Sequence, residues 1–151
     1  YWTPQFKFNG KKMPSKKILR SGAFADFFCD GVQRGSTITL AGQIGVDQNG
    51  NTPRDLKGQV MICYENIKRI LTEFGADLDD VIDETWFVTD MQECMTNVTD
   101  IFALREEIFG RKPEVSQTLV GVAALVDPKL KVEIKCIAHL GSNSDSERMY
   151  I

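Results

Sequence analysis

Residues 130–139, LKVEIKCIAH, place an apolar side chain at every second position, and this pattern decides how the remaining elements are arranged. Such alternation is typical of a strand with one face against a core and the other outside it. The outer face carries Lys131, Glu133 and Lys135, whereas Val132 and Ile134 point the other way. The sequence therefore predicts a sheet whose last strand has a polar strip on its outer face.

Two helices are predicted upstream of this strand, and both carry apolar side chains at three- and four-residue steps. The first covers about 53–74, where Thr52 is a candidate cap and Gly75 suits the end. The second covers about 96–109 and ends at Gly110. Each apolar stripe predicts a helix that packs on the sheet with one side only.

Four more strands are predicted, over residues 24–33, 37–44, 81–89 and 116–125. A turn at Gly35-Ser36 joins the first two strands as a hairpin. Gly42 lies inside the second strand, where a glycine indicates a bulge or a close approach of the backbone. The order β-β-α-β-α-β-β predicts an α+β fold, a mixed sheet with both helices on one face.

The opposite face of the sheet also needs a cover. In segment 116–125, Leu119 and Gly121 alternate with Thr118 and Val120, and neither set carries a charge. The chain offers no further element to cover so apolar a face, so we expect this face to be buried against other subunits.

Length and charge indicate one domain with two polar ends. The chain has 151 residues and a net charge of −3, which suits a single domain over 21–140 with a polar tail over 141–151. Residues 1–20 form a predicted irregular arm with six basic residues and no acid. The rest of the chain is acidic, so no nucleic-acid partner is expected, and the arm is either a solvated segment or the one part able to meet phosphate.

The four cysteines, at 29, 63, 94 and 136, lie far apart in apolar or helical surroundings. This spacing favours buried, reduced thiols and a cytoplasmic location over a disulfide framework. No apolar run is long enough for a membrane-spanning helix, so no membrane partner is expected.

Only one histidine, His139, is present. A single histidine excludes a metal site made of several histidines. No nucleophile motif lies near His139, so the sequence gives no sign that it acts as a catalytic base. Glu133 is the stronger candidate for chemistry, as a carboxylate in a crevice beside a subunit boundary that orients water as a general base. The alternative is a solvated polar face with cross-strand ion pairs. Gln117 and Thr118, on the neighbouring strand, offer neutral groups to a small polar ligand or make edge hydrogen bonds.

Short motifs in a fixed order carry a resemblance to a known family. They are AGQIGVD at 41–47 with Asn49-Gly50, ENIKRIL at 65–71, GADLDDV at 75–81, FVTDM at 87–91, Phe109-Gly110, VGV at 120–122 and VEI at 132–134. Together they resemble the Rid family of reactive-intermediate deaminases, also called the L-PSP endoribonuclease family, over about residues 24–140. The resemblance implies a chorismate-mutase-like fold and a homotrimer with sites in the clefts between subunits.

The family's deaminating members hydrolyse the C=N bond of an imine or enamine to a ketone and ammonia, without a metal or organic cofactor. The resemblance implies that Glu133 takes the place of the glutamate that positions water, and that Gly42 matches the glycine beside the pocket serine. Ala41 falls at the serine position and Phe28 at the tyrosine position.

The family's arginine, which binds the substrate carboxylate, falls at Gln117, or at Val115 on a second count. A neutral amide makes no ion pair with a carboxylate, so the resemblance implies an altered choice of substrate, neutral or without an α-carboxylate. Two functions stay open: a divergent imine or enamine hydrolase, and a non-catalytic or regulatory trimer that binds a small metabolite. The family's ribonuclease label is disfavoured because the body of the chain is acidic.

Overall fold

The computed structural model describes residues 16–141 and 146–151, together with the backbone of two short strands, β1 (Lys7–Phe8) and β2 (Lys11–Lys12). Most of the predicted arm over 1–20, and part of the predicted tail over 141–151, lie outside these residues. The arm and tail boundaries therefore stay predictions.

One seven-stranded sheet forms the centre of the molecule. Its strands are β3 (Lys17–Leu19), β4 (Gly31–Arg34), β5 (Thr37–Leu40), β6 (Gln43–Ile44), β7 (Val81–Val88), β8 (Ser116–Gly121) and β9 (Val132–His139). The spatial order is β3-β4-β5-β9-β7-β8, and β6 also pairs with β9. Only β7 and β8 run parallel, so the sheet is mixed as predicted.

The last strand, β9, is central, with antiparallel β5 and β6 along one edge and β7 along the other. Its alternation is observed directly: Val132, Ile134, Cys136 and Ala138 are buried, whereas Glu133 faces the opposite side. A strand with neighbours on both edges holds its backbone firmly, because every second peptide is bonded on each side. Glu133 therefore stands on one of the most constrained strands of the fold.

Three helices of the described residues cover the inner face: α1 (Leu56–Glu73), α2 (Met91–Thr96) and α3 (Val98–Phe109). The apolar stripe of α1 meets Trp86 of β7 and Ile134 of β9 in one continuous core. None of the helices in the described ranges combines the length and apolar character that a membrane crossing requires.

The second predicted helix is split into α2 and α3 and begins earlier than expected. Asp90 caps α2 by accepting a hydrogen bond from the Glu93 amide at 2.9 Å, and the Asp-x-x-Glu spacing is the signal that predicts such a start. Asn97 interrupts the helical path between α2 and α3. The last helix ends as predicted, at Gly110 with a positive φ of 74°.

The predicted strand over 24–33 was wrong in its first part. Residues 22–24 form a 3-10 turn, and the strand begins only at Gly31. Phe24 and Phe28 stack at 5.8 Å outside the sheet, because successive aromatic residues here pack on each other rather than alternate across a pleat. An unexpected edge strand, β3, lies within the segment that we predicted to be irregular, and it pairs with β4.

The outer face of the sheet has no cover among the described residues. Val120 of β8 is 36% exposed, and Phe28, in the turn before β4, is 48% exposed. Phe27 beside it is 79% exposed. Exposed apolar surfaces of this kind are common at sites where folded proteins contact other molecules.

Candidate functional site

The carboxylate of Glu133 is the central feature of the outer face. The residue is half-buried in the middle of β9, opposite Phe87 of β7 and Ile44 of β6. Within the described ranges, no side chain or backbone group donates a hydrogen bond to this carboxylate, and none forms an ion pair with it. A half-buried carboxylate without a partner has all its acceptor capacity available for water or a ligand.

Gly42 lies directly beneath this carboxylate. A Cβ atom at Gly42 would stand 2.5 Å from Glu133 Oε2 and 2.7 Å from its Cδ, so any other residue would push the side chain away. The predicted close approach of the backbone at Gly42 is therefore confirmed. Glycine at this position allows the glutamate to lie flat against the chain.

A bulge between β5 and β6 brings Gly42 to this place. Thr39 pairs with Ile137 and Gln43 pairs with Ile134, so three residues on one strand face two on the other. The extra residue interrupts the ladder, so residues 40–42 have no register partner on β9. The bulge predicted at Gly42 is thus also confirmed, and it forms the floor of the candidate site.

Polar side chains of α1 hold the segment that follows the bulge. Cys63 donates to the Gln43 carbonyl at 3.2 Å, and Asn66 donates to the carbonyls of Ile44 at 3.2 Å and Val46 at 3.0 Å. The helical spacing places Cys63 and Asn66 on the same side of α1. These bonds fix the backbone on which the Glu133 carboxylate rests.

Cys63 also feels the charge of this carboxylate through the floor of the site. Burial raises the pKa of the Cys63 thiol, and the negative charge of Glu133 raises it further. The thiol therefore stays protonated and keeps its donor for the Gln43 carbonyl. A protonated, buried thiol is an inert structural group and not a nucleophile.

Two lysines flank Glu133 at two-residue steps, Lys135 within β9 and Lys131 just before it. The ammonium of Lys135 donates to the carbonyl of Leu40, the first residue of the bulge, at 3.1 Å. Lys131, before the strand, binds both oxygens of Glu93 at 2.8 and 2.7 Å and so connects β9 with α2. Of these two lysines, Lys135 is the one whose ammonium contacts the bulge.

Gln117 does not lie beside Glu133, contrary to what the sequence led us to expect. It occupies the inner face of β8, opposite Glu84 of β7, and donates to Glu84 Oε1 at 3.0 Å. The side-chain alternation of a strand explains the difference, because Thr118 and Val120 share the face of Glu133, whereas Gln117 and Leu119 do not. The predicted contact of Gln117 with a ligand on the outer face is thus not supported by this placement.

Glu84 is the centre of a fully buried polar cluster. Its Oε2 accepts from Tyr64 Oη at 2.7 Å, and Arg105 Nη2 lies 2.6 Å from its Oε1, an ion pair without the alignment of a hydrogen bond. Tyr64 Oη in turn accepts from Arg105 Nε at 3.1 Å and Trp86 Nε1 at 3.3 Å. Burial and the charge of Glu84 raise the pKa of Tyr64, so this hydroxyl remains a donor.

This cluster takes Arg105 out of consideration as a substitute for the family's arginine, because it is buried against Glu84 on the inner face. Arg111 is equally remote, since it pairs with Asp79 at 2.9 Å and Glu114 at 3.5 Å. Neither guanidinium faces Glu133.

The remaining predicted site residues fall around the bulge. Ala41 lies between Leu40 and Gly42, and its amide donates to the Asp30 carbonyl at 2.8 Å. Phe28 is two residues before Asp30, in the exposed turn. Thr118 aligns with Thr85 on the outer face, and Thr85 aligns with Lys135. The structure thus groups Glu133, Gly42 and Ala41 closely, with Phe28 and Thr118 at the edges.

Sequence reasoning placed Lys135 on the correct face but gave it no role in the site. The signal that identifies it is its position two residues after Glu133, which puts both side chains on one side of the strand. No group of three or more histidine, cysteine, aspartate or glutamate side chains within the described residues is arranged to hold a metal ion. The chemistry available here is that of one free carboxylate, one ammonium and a backbone bulge.

Comparison with known proteins gives this geometry a context. The family model described as endoribonuclease L-PSP matches residues 20–140. The chain is 32% identical over 109 residues to the RutC family protein YjgH of Escherichia coli (strain K12), a match that covers 72% of this chain and 79% of YjgH. It is 33% identical over 128 residues to the 2-iminobutanoate/2-iminopropanoate deaminase of Salmonella typhimurium (strain LT2), covering 82% and 97% of the two chains.

A solved structure agrees with these matches. The structure of E. coli TdcF with bound serine superposes with a TM-score of 0.68 at 27% identity, covering 81% of this chain and 92% of TdcF. The α+β fold of chorismate-mutase-like type is therefore confirmed.

Proposed function

We propose, from the premise that the chain belongs to the endoribonuclease L-PSP or Rid family, that it hydrolyses the C=N bond of a small imine, enamine or related reactive metabolite. The observation that carries this proposal is the free carboxylate of Glu133 on the backbone of Gly42. A relative with a similar sequence bears the name 2-iminobutanoate/2-iminopropanoate deaminase, and this name describes the same class of reaction.

Glu133 acts in this proposal as the group that orients and deprotonates water. Water bound to the carboxylate adds its oxygen to the electrophilic carbon of the C=N bond, while the proton passes through Glu133 to nitrogen. The tetrahedral carbinolamine then loses ammonia and becomes the ketone. An enamine enters the same path after its carbon is protonated and it becomes the imine.

Other copies of the chain complete the site in this proposal. Val120 and Phe28 leave the outer face apolar and exposed on the single chain, and a homotrimer with clefts between subunits would cover it. The four cysteines are free thiols, which suits a protein that works in the reducing cytoplasm.

Ammonia release from freshly generated 2-iminobutanoate and 2-iminopropanoate, compared in the wild-type protein and Glu133→Ala, tests the proposal. We expect weak turnover by the wild-type protein, because the family's arginine has no counterpart beside Glu133, and loss of turnover in the variant. Equal rates for the two proteins, above the uncatalysed rate, would show that Glu133 is not the base.

The second candidate is a non-catalytic trimer that binds a small metabolite in the same clefts. Ala41 and Phe28 favour it, because neither side chain carries the hydroxyl that the family's serine and tyrosine offer. A ligand that raises the melting temperature and is recovered unchanged supports this alternative, and measurable ammonia release counts against it.

A further inference from the structure

Gln59 of α1 is fully buried, and its side-chain amide makes three hydrogen bonds to the backbone of two other segments. Its Nε2 donates to the Pro53 carbonyl at 2.8 Å and to the Lys129 carbonyl at 2.9 Å. Its Oε1 accepts from the Lys131 amide at 2.7 Å. Gln59 therefore connects the loop before α1 with the residues that lead into β9.

The bond to Lys131 lies close to the candidate base. Lys131 is two residues before Glu133 and one residue before β9, which begins at Val132. The Thr89 amide holds the Lys131 carbonyl at 3.1 Å from the end of β7, and Gln59 holds the Lys131 amide from α1. The path of the backbone toward Glu133 is therefore fixed from two sides, and Gln59 supplies one of them.

Gln59 also lies against the segment that follows the bulge. The pairing of β6 with β9 ends at Ile44, which is opposite Glu133. The next residue, Gly45, turns its backbone against Gln59, because a Cβ at Gly45 would stand 2.6 Å from Gln59 Cβ and 2.7 Å from its Cγ. Gln59 thus contacts the continuation of β6 and the entry of β9, just where the two strands stop pairing.

Gln59 begins a row of three polar side chains on the buried side of α1. Cys63 and Asn66 follow it at helical steps of four and three residues and bond to carbonyls of the segment 43–46. An apolar side chain would fill the space of Gln59, but it would leave the backbone groups that Gln59 binds without these partners. Of the three side chains, Gln59 is the one that bonds to the lead-in of β9.

We infer that Gln59 is a positioning residue for the proposed hydrolysis, because it sets where the Glu133 carboxylate stands relative to the bulge at Gly42. The inference rests on the proposed function. Gln59 is buried on the inner side of the sheet, so it acts through the backbone of β9 and not by touching a ligand on the outer face. A displacement of the base by about 1 Å is enough to slow catalysis strongly.

Two matched substitutions on α1 test the inference. Gln59→Met keeps a side chain of similar length and removes the three hydrogen bonds. Leu71→Ala is the control, because Leu71 is also fully buried on α1 but lies twelve residues further on, about 18 Å along the helix axis. Urea denaturation identifies a temperature at which both variants are folded, and ammonia release from 2-iminobutanoate is measured there.

We expect Gln59→Met to lower kcat by roughly 10–100-fold and to leave KM within about threefold of wild type, because the ligand contacts remain and the base is misplaced. Leu71→Ala should keep kcat within about twofold of wild type while it is folded. A residue that only stabilises the fold would not lower kcat at a temperature where the variant is folded.

Gln59→Glu adds a test by conservative rescue. Burial beside two carbonyl oxygens raises the pKa of the introduced carboxyl, so at low pH it is protonated, donates to one carbonyl and accepts from the Lys131 amide. The rate of Gln59→Glu relative to wild type should therefore be highest at low pH and fall as the pH rises through this pKa. If Gln59→Met does not fold, Gln59→Glu decides alone, and a ratio that is constant with pH overturns the inference.

The position of Glu133 is also measured without turnover. The carboxyl carbon of Glu133 in protein labelled with ¹³C-glutamate is assigned by its loss in Glu133→Gln, and its NMR signal should shift in Gln59→Met but not in Leu71→Ala. The inference is overturned if this signal is the same in Gln59→Met as in wild type, or if kcat of the folded variant stays within about twofold of wild type.

Failure of the inference is separable from failure of the proposed function. A wild-type protein that releases no ammonia contradicts the proposed hydrolysis, and the Glu133 signal then still decides whether Gln59 positions this carboxylate. A wild-type protein that hydrolyses 2-iminobutanoate, with Gln59→Met equally active, keeps the proposed function and removes the role of Gln59.

Discussion

Two glutamates on neighbouring strands of the same sheet have opposite surroundings. Glu84 of β7 is fully buried on the inner face and is held by Tyr64, Arg105 and Gln117. Glu133 of β9 is half-buried on the outer face, without a hydrogen bond from the described part of the chain. One carboxylate is satisfied by the fold itself, and the other keeps its acceptors free.

This contrast separates structure from function on physical grounds. A buried charge must be paired and hydrogen-bonded or the fold loses stability, so the Glu84 cluster is a requirement of the core. An unpartnered carboxylate over a glycine stabilises nothing, and its position makes sense only with water or a ligand present. The Glu84 cluster, which has more contacts than Glu133, is therefore a structural feature of the core.

The largest expected effect comes from Glu84→Gln. Removing this charge leaves the Arg105 guanidinium buried without a counterion, so we expect the free energy of unfolding to fall by about 3–5 kcal/mol. Urea denaturation at neutral pH measures the change. The matched substitution Glu133→Gln removes no internal contact and should change stability by less than about 1 kcal/mol.

Equal stability losses in Glu84→Gln and Glu133→Gln would contradict the contrast between the two glutamates. That result would mean that Glu133 has a structural partner in the assembled protein, and that the outer face is as constrained as the core.

The next effect concerns the glycine under Glu133. In Gly42→Ala the new Cβ would meet the Glu133 side chain at 2.5–2.9 Å, so the carboxylate has to move off the bulge. We expect turnover to fall by roughly 10–100-fold, because a misplacement of about 1 Å is enough for such a loss. The loss of stability should be small, since a flexible side chain can yield.

Gly121→Ala is the control for this prediction. A Cβ at Gly121 would meet its nearest neighbour, the methyl carbon of Met91, at an ordinary 3.7 Å, so activity should be unchanged. Loss of activity in both variants alike would show that the close approach at Gly42 is not the cause.

A third prediction concerns Gln117, which belongs to the Glu84 cluster in the structure. Gln117→Leu removes one hydrogen bond from a buried carboxylate, so it should cost about 1–3 kcal/mol of stability. Hydrolysis, measured as ammonia release at a temperature where the variant is folded, should remain within about twofold of wild type. A loss of turnover without a loss of stability would restore Gln117 to the ligand site.

Most of the fold follows from the sequence because it depends on periodic patterns. The alternation in 130–139 and the helical steps in 53–74 each identify one element and its buried face. The bulge at Gly42 is predictable for a similar reason, since a glycine inside a strand often marks a bulge or a close approach of the backbone. The order of elements and the family resemblance then led to the α+β fold and to Glu133.

The face of Gln117 and the turn at 22–30 were not predictable in the same way. Segment 116–125 has uncharged side chains on both faces, so its pattern does not say which face meets the helices. That choice depends on the register with Glu84, a contact between residues 33 positions apart. The three phenylalanines at 24, 27 and 28 resemble a strand in composition, but they are exposed before β4 and no described element covers them.

The smallest effect concerns a third carboxylate, Glu114, which is held at the surface by Arg148 at 2.7 and 2.8 Å. The hydrogen bonds from Arg148 lower the pKa of Glu114. A lowered pKa means that this contact is complete at neutral pH and is lost as the pH falls through the folded-state value. NMR shifts of residues 146–151 should report release of the tail on acidification, and Arg148→Gln should release it at every pH.

The central claim is that the free carboxylate on the outer face performs the chemistry. The most direct measurement is the rate of ammonia release from 2-iminobutanoate by wild type and Glu133→Gln, at a temperature where urea denaturation shows both proteins to be folded. The account predicts a fall of at least roughly 100-fold, the usual contribution of a positioned general base, with stability nearly unchanged. Catalysed rates within twofold of each other would contradict it.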